Sequence, residues 1–467
     1  MRPERRIPLF ADGKPDNLDR CRGPLRRGGY APRRARGAPT GSRSVLHRPR
    51  RRGRRLSGAS ARRRWLRDHP PSLAVACAPA PALRTPDPMS RPAQPPVFSA
   101  APHRMMFFAG AVQMVVVLLF WGTELVGHYT ALWAAPHTSV PVASAHLFLM
   151  LYALFPLFFL GFLMTTYPRW MNGAPIPRRR YACSFVLLAA GLILFYAGLF
   201  TSRALLAVGV AVYLAGWGAG LYALFRVYAA APTRDKFYER LLNVALAAGA
   251  AGIAAYGLWV VTGRHGFLVF ARDAGLWWFL VPVVVIVAHR MIPFFSSTAL
   301  KPYAVFQPRP ALLLMFACSL ALGALEMAGL RAWTWPVDLV FLAATLVHTW
   351  RWGLLRSFRV RLLAVLHVSF AWCSVALALY AIQSLVLWRT GRLILGFAPL
   401  HALGIGFLTS MMVGMASRVS LGHSGRALVA DGFTWACFWG ISVTALLRIG
   451  AAIPPLAHLD GLSLNVL

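Results

Sequence analysis

Paired cysteines are missing from this sequence. Cys21, Cys77, Cys183, Cys318, Cys373 and Cys437 stand singly and no CxxC occurs, so neither a disulfide framework nor a cysteine-based zinc site is expected. Spaced in this way they read as small apolar core residues. No P-loop, HExxH or GxSxG is present, which leaves the commonest enzyme chemistries without a motif. No two histidines are adjacent, so the His-His copper ligands of a haem–copper oxidase are absent. No apolar segment follows the first arginines, and the N-terminus therefore does not read as a secretory or twin-arginine signal. Charge is thin as well, at 13% of residues against 58% hydrophobic. With a mean hydropathy of +0.56, the chain is too apolar for a soluble domain of this length.

What charge there is lies unevenly. Residues 1–98 hold 24 Lys and Arg against 6 Asp and Glu, leaving 25 and 8 for the other 369. This arm is rich in Arg, Pro, Gly and Ala, as in Arg48-Pro49-Arg50-Arg51-Arg52-Gly53-Arg54-Arg55, and has no apolar periodicity, so it is expected to be disordered. Met89 is read as a second candidate start, which would make the preceding residues untranslated. A basic tail on anionic lipid is the next reading and nucleic-acid binding the third; no nucleic-acid partner is expected.

From Met105 onward, apolar runs recur near 105–127, 142–167, 181–200, 204–230, 240–262, 275–295, 310–328, 334–350, 361–388, 399–418 and 433–453. Each can cross about 30 Å of hydrocarbon at a rise of about 1.5 Å per residue. The fold expected for 99–467 is an all-α polytopic transmembrane bundle of eleven or twelve spans. Basic residues set its orientation. The even-numbered loops hold 16, including Arg178, Arg179, Arg180, Arg356 and Arg359; the odd-numbered loops hold 6. The even loops and the N-terminus are therefore expected to be cytoplasmic.

Ionisable groups inside spans are costly, and they usually face the bundle interior. Five histidines lie in spans, and imidazole is a common metal ligand. His146 and His401 fall at the outer ends of spans 2 and 10, on one layer. His289, His348 and His367 lie towards the cytoplasmic side with His423, beside Arg290 and Arg418. Two metal sites are expected, or one site and a polar gate. Along span 10, His401, Gly404, Leu408, Met411 and Met415 share one helical face, where glycine leaves room for a flat macrocycle and thioethers suit Cu(I) or haem. A methionine stripe is also ordinary core filling, and a lone span histidine can simply be hydrogen-bonded between helices. Glu124, Glu326 and Asp338 map to outer span ends, as interfacial anchors or as proton or cation ligands. Gly216-Trp217-Gly218-Ala219-Gly220 reads as a GxxxG helix contact.

Four segments together carry a resemblance. They are Gly161-Phe162-Leu163-Met164-Thr165-Thr166-Tyr167-Pro168-Arg169-Trp170; His289-Arg290-Met291-Ile292-Pro293-Phe294-Phe295; Leu366-His367 with Ala371-Trp372; and His401-Ala402-Leu403-Gly404-Ile405-Gly406, continuing through Gly414-Met415-Ala416-Ser417-Arg418 to His423. Over about residues 98–455 the chain resembles the NnrS family of bacterial membrane proteins. The resemblance implies twelve spans in the bacterial inner membrane, haem and copper as cofactors, and a role in the response to nitric oxide and in protection from nitrosative stress. It places His367, His401 and His423, with Arg290 and Arg418, on residues of the family pattern. His146 falls on the second histidine of the family's HAHEM stretch. Here that stretch reads Ser144-Ala145-His146-Leu147-Phe148, without the first histidine and the acid. The twelfth span is not found, so truncation before it is expected. The assignment that follows gives haem to His146 and His401, with His367, Arg290 and Arg418 as further cofactor contacts. His367, with His289, His348 or His423, would form the second site, read as copper, with Met411 and Met415 as further metal ligands. Membrane lipid and nitric oxide are the expected partners. The competing reading, from another class, is a transporter for a small solute or metal ion.

Overall fold

The computed structural model describes residues 97–453, apart from Ala131, Ala135 and Arg426. The arm before residue 97, the alternative start at Met89 and the expected truncation after 453 lie outside the described residues. Within them the chain is helical, with no strand. Its long helices are α1 (Pro102–Tyr129), α2 (Val142–Trp170), α3 (Arg178–Thr201), α4 (Arg203–Ala230), α5 (Phe237–Thr262), α6 (His265–Ala299), α7 (Arg309–Met327), α8 (Trp335–Trp352), α9 (Arg361–Thr390), α10 (Ala398–Ser424) and α11 (Gly432–Ala452).

Ten of these are long and apolar enough to cross a membrane, and the eleventh, α8, is not. The all-α transmembrane bundle expected from the sequence is observed, and α8 alone among the long helices falls short in apolarity. The reason is local: Asp338, His348 and Arg351 fall within its eighteen residues and lower their mean hydropathy. At about 1.5 Å per residue α8 is still about 27 Å long. Its apolar surface is exposed at Leu339, Val340, Leu346 and Val347, while Asp338 and His348 are buried. We call upper the end at which α2, α6, α8 and α10 begin, and lower the opposite end.

Helices α2 and α6 are buried on nearly every side, and α9 and α10 more than half. Each of α2, α6 and α10 contains a stretch of wider, π-type turns, at Leu149–Leu154, Ala274–Leu280 and Ala402–Thr409. Two of these precede prolines, Pro156 and Pro282. Proline lacks the N–H that would reach back along the helix, so upstream carbonyls need other donors. The Tyr213 hydroxyl donates to the Tyr152 carbonyl at 2.6 Å, and Ser319 donates to the Trp277 carbonyl at 2.5 Å. In α10 the donors are internal: Thr409 Oγ1 reaches the Gly404 carbonyl at 2.9 Å.

Close packing of α3 on α4 depends on glycine. A Cβ added at Gly216 would lie 2.7 Å from the Leu188 backbone nitrogen, and one at Gly191 would lie 2.6 Å from that of Tyr213. The glycine pattern read in the sequence is thus a helix contact, made where backbones approach closely.

Candidate metal centres

Histidines pair in three separate groupings, with His103, His289 and His348 buried and His146, His401 and His423 half-buried. The first is at the upper end. His146, in the first two turns of α2, lies flat against Trp121 of α1, with ring centroids 3.7 Å apart and planes at 22°. His401 opens α10, and its Nε2 is 3.4 Å from the Arg448 guanidinium of α11. His401 and Arg448 both act electrostatically on His146, which places the three side chains near one another. The Nδ1 atoms of both rings are buried without a hydrogen-bond partner among the described residues. One turn below His401, a Cβ added at Gly404 would meet nothing within 4 Å, whereas one at Gly406 would meet the Trp372 ring at 2.6 Å. Space therefore opens on one side of α10 and closes on another.

At the lower end, His289 of α6 and His348 of α8 face each other with ring centroids 5.4 Å apart. Their Nδ1 atoms are engaged. That of His348 donates to the Ala344 carbonyl at 2.7 Å, and that of His289 lies 3.0 Å from the Tyr238 hydroxyl of α5. A carbonyl only accepts, so the proton of His348 is on Nδ1 and its Nε2 carries the lone pair. His348 Nε2 is buried and makes no hydrogen bond among the described residues; His289 Nε2 is buried as well, and the Pro308 backbone lies close enough to act on the His289 ring as a hydrogen-bond acceptor. Trp352 closes the pocket, with its ring 6.2 Å from His289 and 5.2 Å from His348. A bound Nδ1 and an unused Nε2 is the arrangement in which a second partner fixes an imidazole for a metal.

The third grouping was not expected. His423, on the last turn of α10, packs against His103 at the start of α1, with centroids 4.6 Å apart. Arg169 approaches His423 Nε2 at 3.4 Å and Thr165 lies 3.3 Å from His103 Nδ1. His367 joins neither neighbour: its Nε2 meets Ser296 Oγ at 2.9 Å. The four histidines expected together at the lower side thus divide among three places. Helix rotation decides this, since His289 and His348 point at one another while His423 turns towards α1.

The two arginines also differ. Arg290 pairs with the buried Glu239 at 3.4 Å and lies over the Trp170 ring at 4.5 Å. Arg418 is buried over the Phe295 ring at 4.0 Å, and its Nε has no partner among the described residues. Met411 and Met415 line a small apolar cleft with Phe107, Phe158 and Val284, and no histidine is in its lining.

Among the described residues no group of three or more His, Cys, Asp or Glu is placed to hold a metal. A tetrahedral zinc site is therefore unsupported. Two imidazoles suffice in two cases: haem, whose ring supplies four nitrogen ligands, and a soft cation content with few ligands, such as Cu(I). The residues present fit both groups.

Sequence reading missed Tyr238, Trp121, His103 and Arg448. Arg448, a charge in the middle of an apolar run, was the visible signal among them.

A family model described as NnrS protein matches residues 97–465. A search of curated proteins finds no match.

Proposed function

The chain belongs to the NnrS family, and on that premise we propose that it holds haem and copper and acts in the response to nitric oxide and in resistance to nitrosative stress. The observation that carries this reading is the set of buried imidazole nitrogens left without partners in a bundle of apolar helices. A buried polar atom without a hydrogen bond costs on the order of 1–3 kcal/mol, so four such nitrogens in two pairs argue for ligands that use them.

In this reading His289 Nε2 and His348 Nε2 hold copper. Tyr238 and Ala344 fix the two rings, and Trp352 keeps water away. His146 and His401 would hold haem, with the open side of Gly404 taking the edge of the macrocycle, while Arg418 lies about 25 Å further along α10 and is not part of that site. Both metals supply a centre at which nitric oxide can bind. Arg290 is a structural residue here, because Glu239 already uses its charge. The protein sits in the bacterial inner membrane with the lower loops, rich in arginine, on the cytoplasmic side.

Detergent-purified full-length protein tests this through its visible spectrum and its metal content. A Soret band with iron and copper both present is expected. Protein that folds, stays monodisperse and carries neither metal after expression with both supplied would overturn the reading.

A further inference from the structure

The apolar cleft among α1, α2, α6 and α10 stands above a group of cations. Its lining includes Phe107 of α1, Phe162 of α2, Val287 of α6 and Met411, Met412 and Met415 of α10. One turn below Phe107 is His103, with ring centroids 6.0 Å apart. One turn below Phe162 is Thr165, 3.3 Å from His103 Nδ1, and two turns below is Arg169. On α10, His423 lies two turns below Ala416, which also lines the cleft. One face of each of these three helices thus passes from apolar side chains to the His103, His423 and Arg169 grouping.

That grouping is basic and holds no acid. Thr165 gives its only proton to the Gly161 carbonyl at 2.8 Å, so His103 Nδ1 is the donor between them. His423 Nδ1 donates to the Val419 carbonyl at 2.9 Å. Each ring is left with Nε2 for a further partner, and Arg169 approaches that of His423 at 3.4 Å. His423, Arg104 and Arg169 all act on His103 electrostatically. Helix α1 starts here without a side-chain cap, which adds the positive end of its dipole. Arg418, one turn below Met415, is a further buried cation with an unpartnered Nε. The acids of this end are engaged elsewhere: Asp235 with Arg309, Glu239 with Arg290, and Asp431 at the start of α11. The two guanidiniums would repel a metal ion from these imidazoles, so the partner that suits them is an anion.

Depth narrows the choice. His103 is the second residue of α1, and Arg169 and His423 are each the last but one of their helices. Ends of membrane-spanning helices lie in the headgroup layer, about 5–8 Å thick on each side of the hydrocarbon. Phe107 lies about 6 Å of helical rise above His103, and Phe162 about 10 Å above Arg169, at the depth of the first acyl carbons. Methionine side chains adapt to a flexible alkyl chain, which gives the stripe on α10 a use apart from metal.

We propose that this place binds an anionic phospholipid of the lower leaflet, its phosphate on His103, His423 and Arg169 and one acyl chain in the cleft. The phosphate favours the imidazolium form of both rings, in which Nε2 donates to its oxygens, and Arg169 donates beside them. The inference is independent of the metal reading.

Full-length protein, purified in detergent and stripped of lipid, tests it. Native mass spectrometry counts the lipids retained, and melting curves follow added phosphatidylglycerol, phosphatidylcholine or inorganic phosphate. Wild type retains one phosphatidylglycerol in preference to phosphatidylcholine, and phosphatidylglycerol raises its melting temperature the most. Arg169→Gln, at an exposed position, weakens that retention about fivefold, as loss of one basic residue beside anionic lipid does. Adding His423→Gln weakens it further. Met412→Trp fills the cleft and lowers retention, its lipid-free melting curve showing that it is folded. Arg351→Gln removes an exposed charge from the same end and leaves retention unchanged. Equal retention of the two lipids by wild type, or undiminished retention of phosphatidylglycerol by the Arg169→Gln, His423→Gln double variant, would overturn the proposal. So would stabilisation by inorganic phosphate as large as that by phosphatidylglycerol, since the cleft would then have no part.

Discussion

His289 and His348 meet from two helices that are not neighbours in sequence, their ring centroids 5.4 Å apart and the Nε2 of each buried. The contact joins α6 to α8, and the residues that orient it, Tyr238 and Ala344, come from α5 and from α8 itself. If this pair holds copper, His289→Ala and His348→Ala each lose copper and keep the Soret band. Tyr238→Phe removes only the orienting hydroxyl, so it lowers copper affinity by about 10–100-fold without abolishing it. Equilibrium titration under reducing conditions measures both effects. Full copper occupancy in His348→Ala would remove this pair from the assignment.

The two glycines of α10 separate space from packing. Gly404→Ala adds a methyl where nothing lies within 4 Å, and Gly406→Ala drives one into Trp372. Gly404→Ala is expected to leave thermal stability unchanged and to weaken the Soret band. Gly406→Ala is expected to destabilise by about 1–3 kcal/mol, as overpacking does. Thermal melts of the two purified variants, read beside their spectra, make the comparison. Equal melts would mean that Trp372 moves aside freely.

Arg290 and Arg418 should respond in opposite ways to loss of charge. Arg290→Gln leaves the buried Glu239 without its cation, a loss on the order of 1–3 kcal/mol. Arg418→Gln removes a buried guanidinium that no acid balances, so stability holds or rises, and the Soret band is unchanged because Arg418 lies about 25 Å along α10 from His401. Melting temperature and Soret-to-protein ratio give the two readouts. A stability loss in Arg418→Gln as large as that in Arg290→Gln would show a structural charge in both places.

Asp235 ties the loop before α5 to the start of α7 through Arg309. The Arg309 side chain holds its carboxyl below the usual carboxylate range. The folded value is depressed, so the tie is present above the unfolded value of about 3.9 and is lost as pH falls through the lowered one. Hydrogen exchange of residues 231–236 should therefore speed up on acidification, and Asp235→Asn should remove that pH dependence. Because the pair is exposed, global stability is expected to change little.

Orientation follows from the loops. His137 is exposed before α2 and Ala174 is exposed after it. In a background without Cys21, Cys77, Cys183 and Cys437, His137→Cys should label from outside the cell and Ala174→Cys only after permeabilisation. The reverse pattern would invert the bundle.

Much of the architecture was legible in the sequence because apolar run length is a local property. The long helices begin and end within a few residues of the apolar runs, except that α6 starts ten residues before its run and α10 continues six beyond its own, and the glycines of α3 and α4 already announced a close helix contact. The family followed from the short segments around His289, His367 and His401. Composition also hid something. The buried polar face of α8 made it fall short of a membrane span, although Asp338, Thr345 and His348 were in plain view. Depth could be read too, since a residue's distance along its helix gives its layer, and His146 and His401 do lie near one another.

Partnership could not be read in the same way. His348 faces His289 and not His367, and His423 faces His103, because each helix has one rotation about its axis and one set of neighbours. Those are fixed by how the side chains of eleven helices interlock, which no single segment encodes. The same holds for charge: Arg290 and Arg418 look alike in sequence, and only the placement of Glu239 beside one and Phe295 beneath the other makes the first a structural ion pair and leaves the second unpaired.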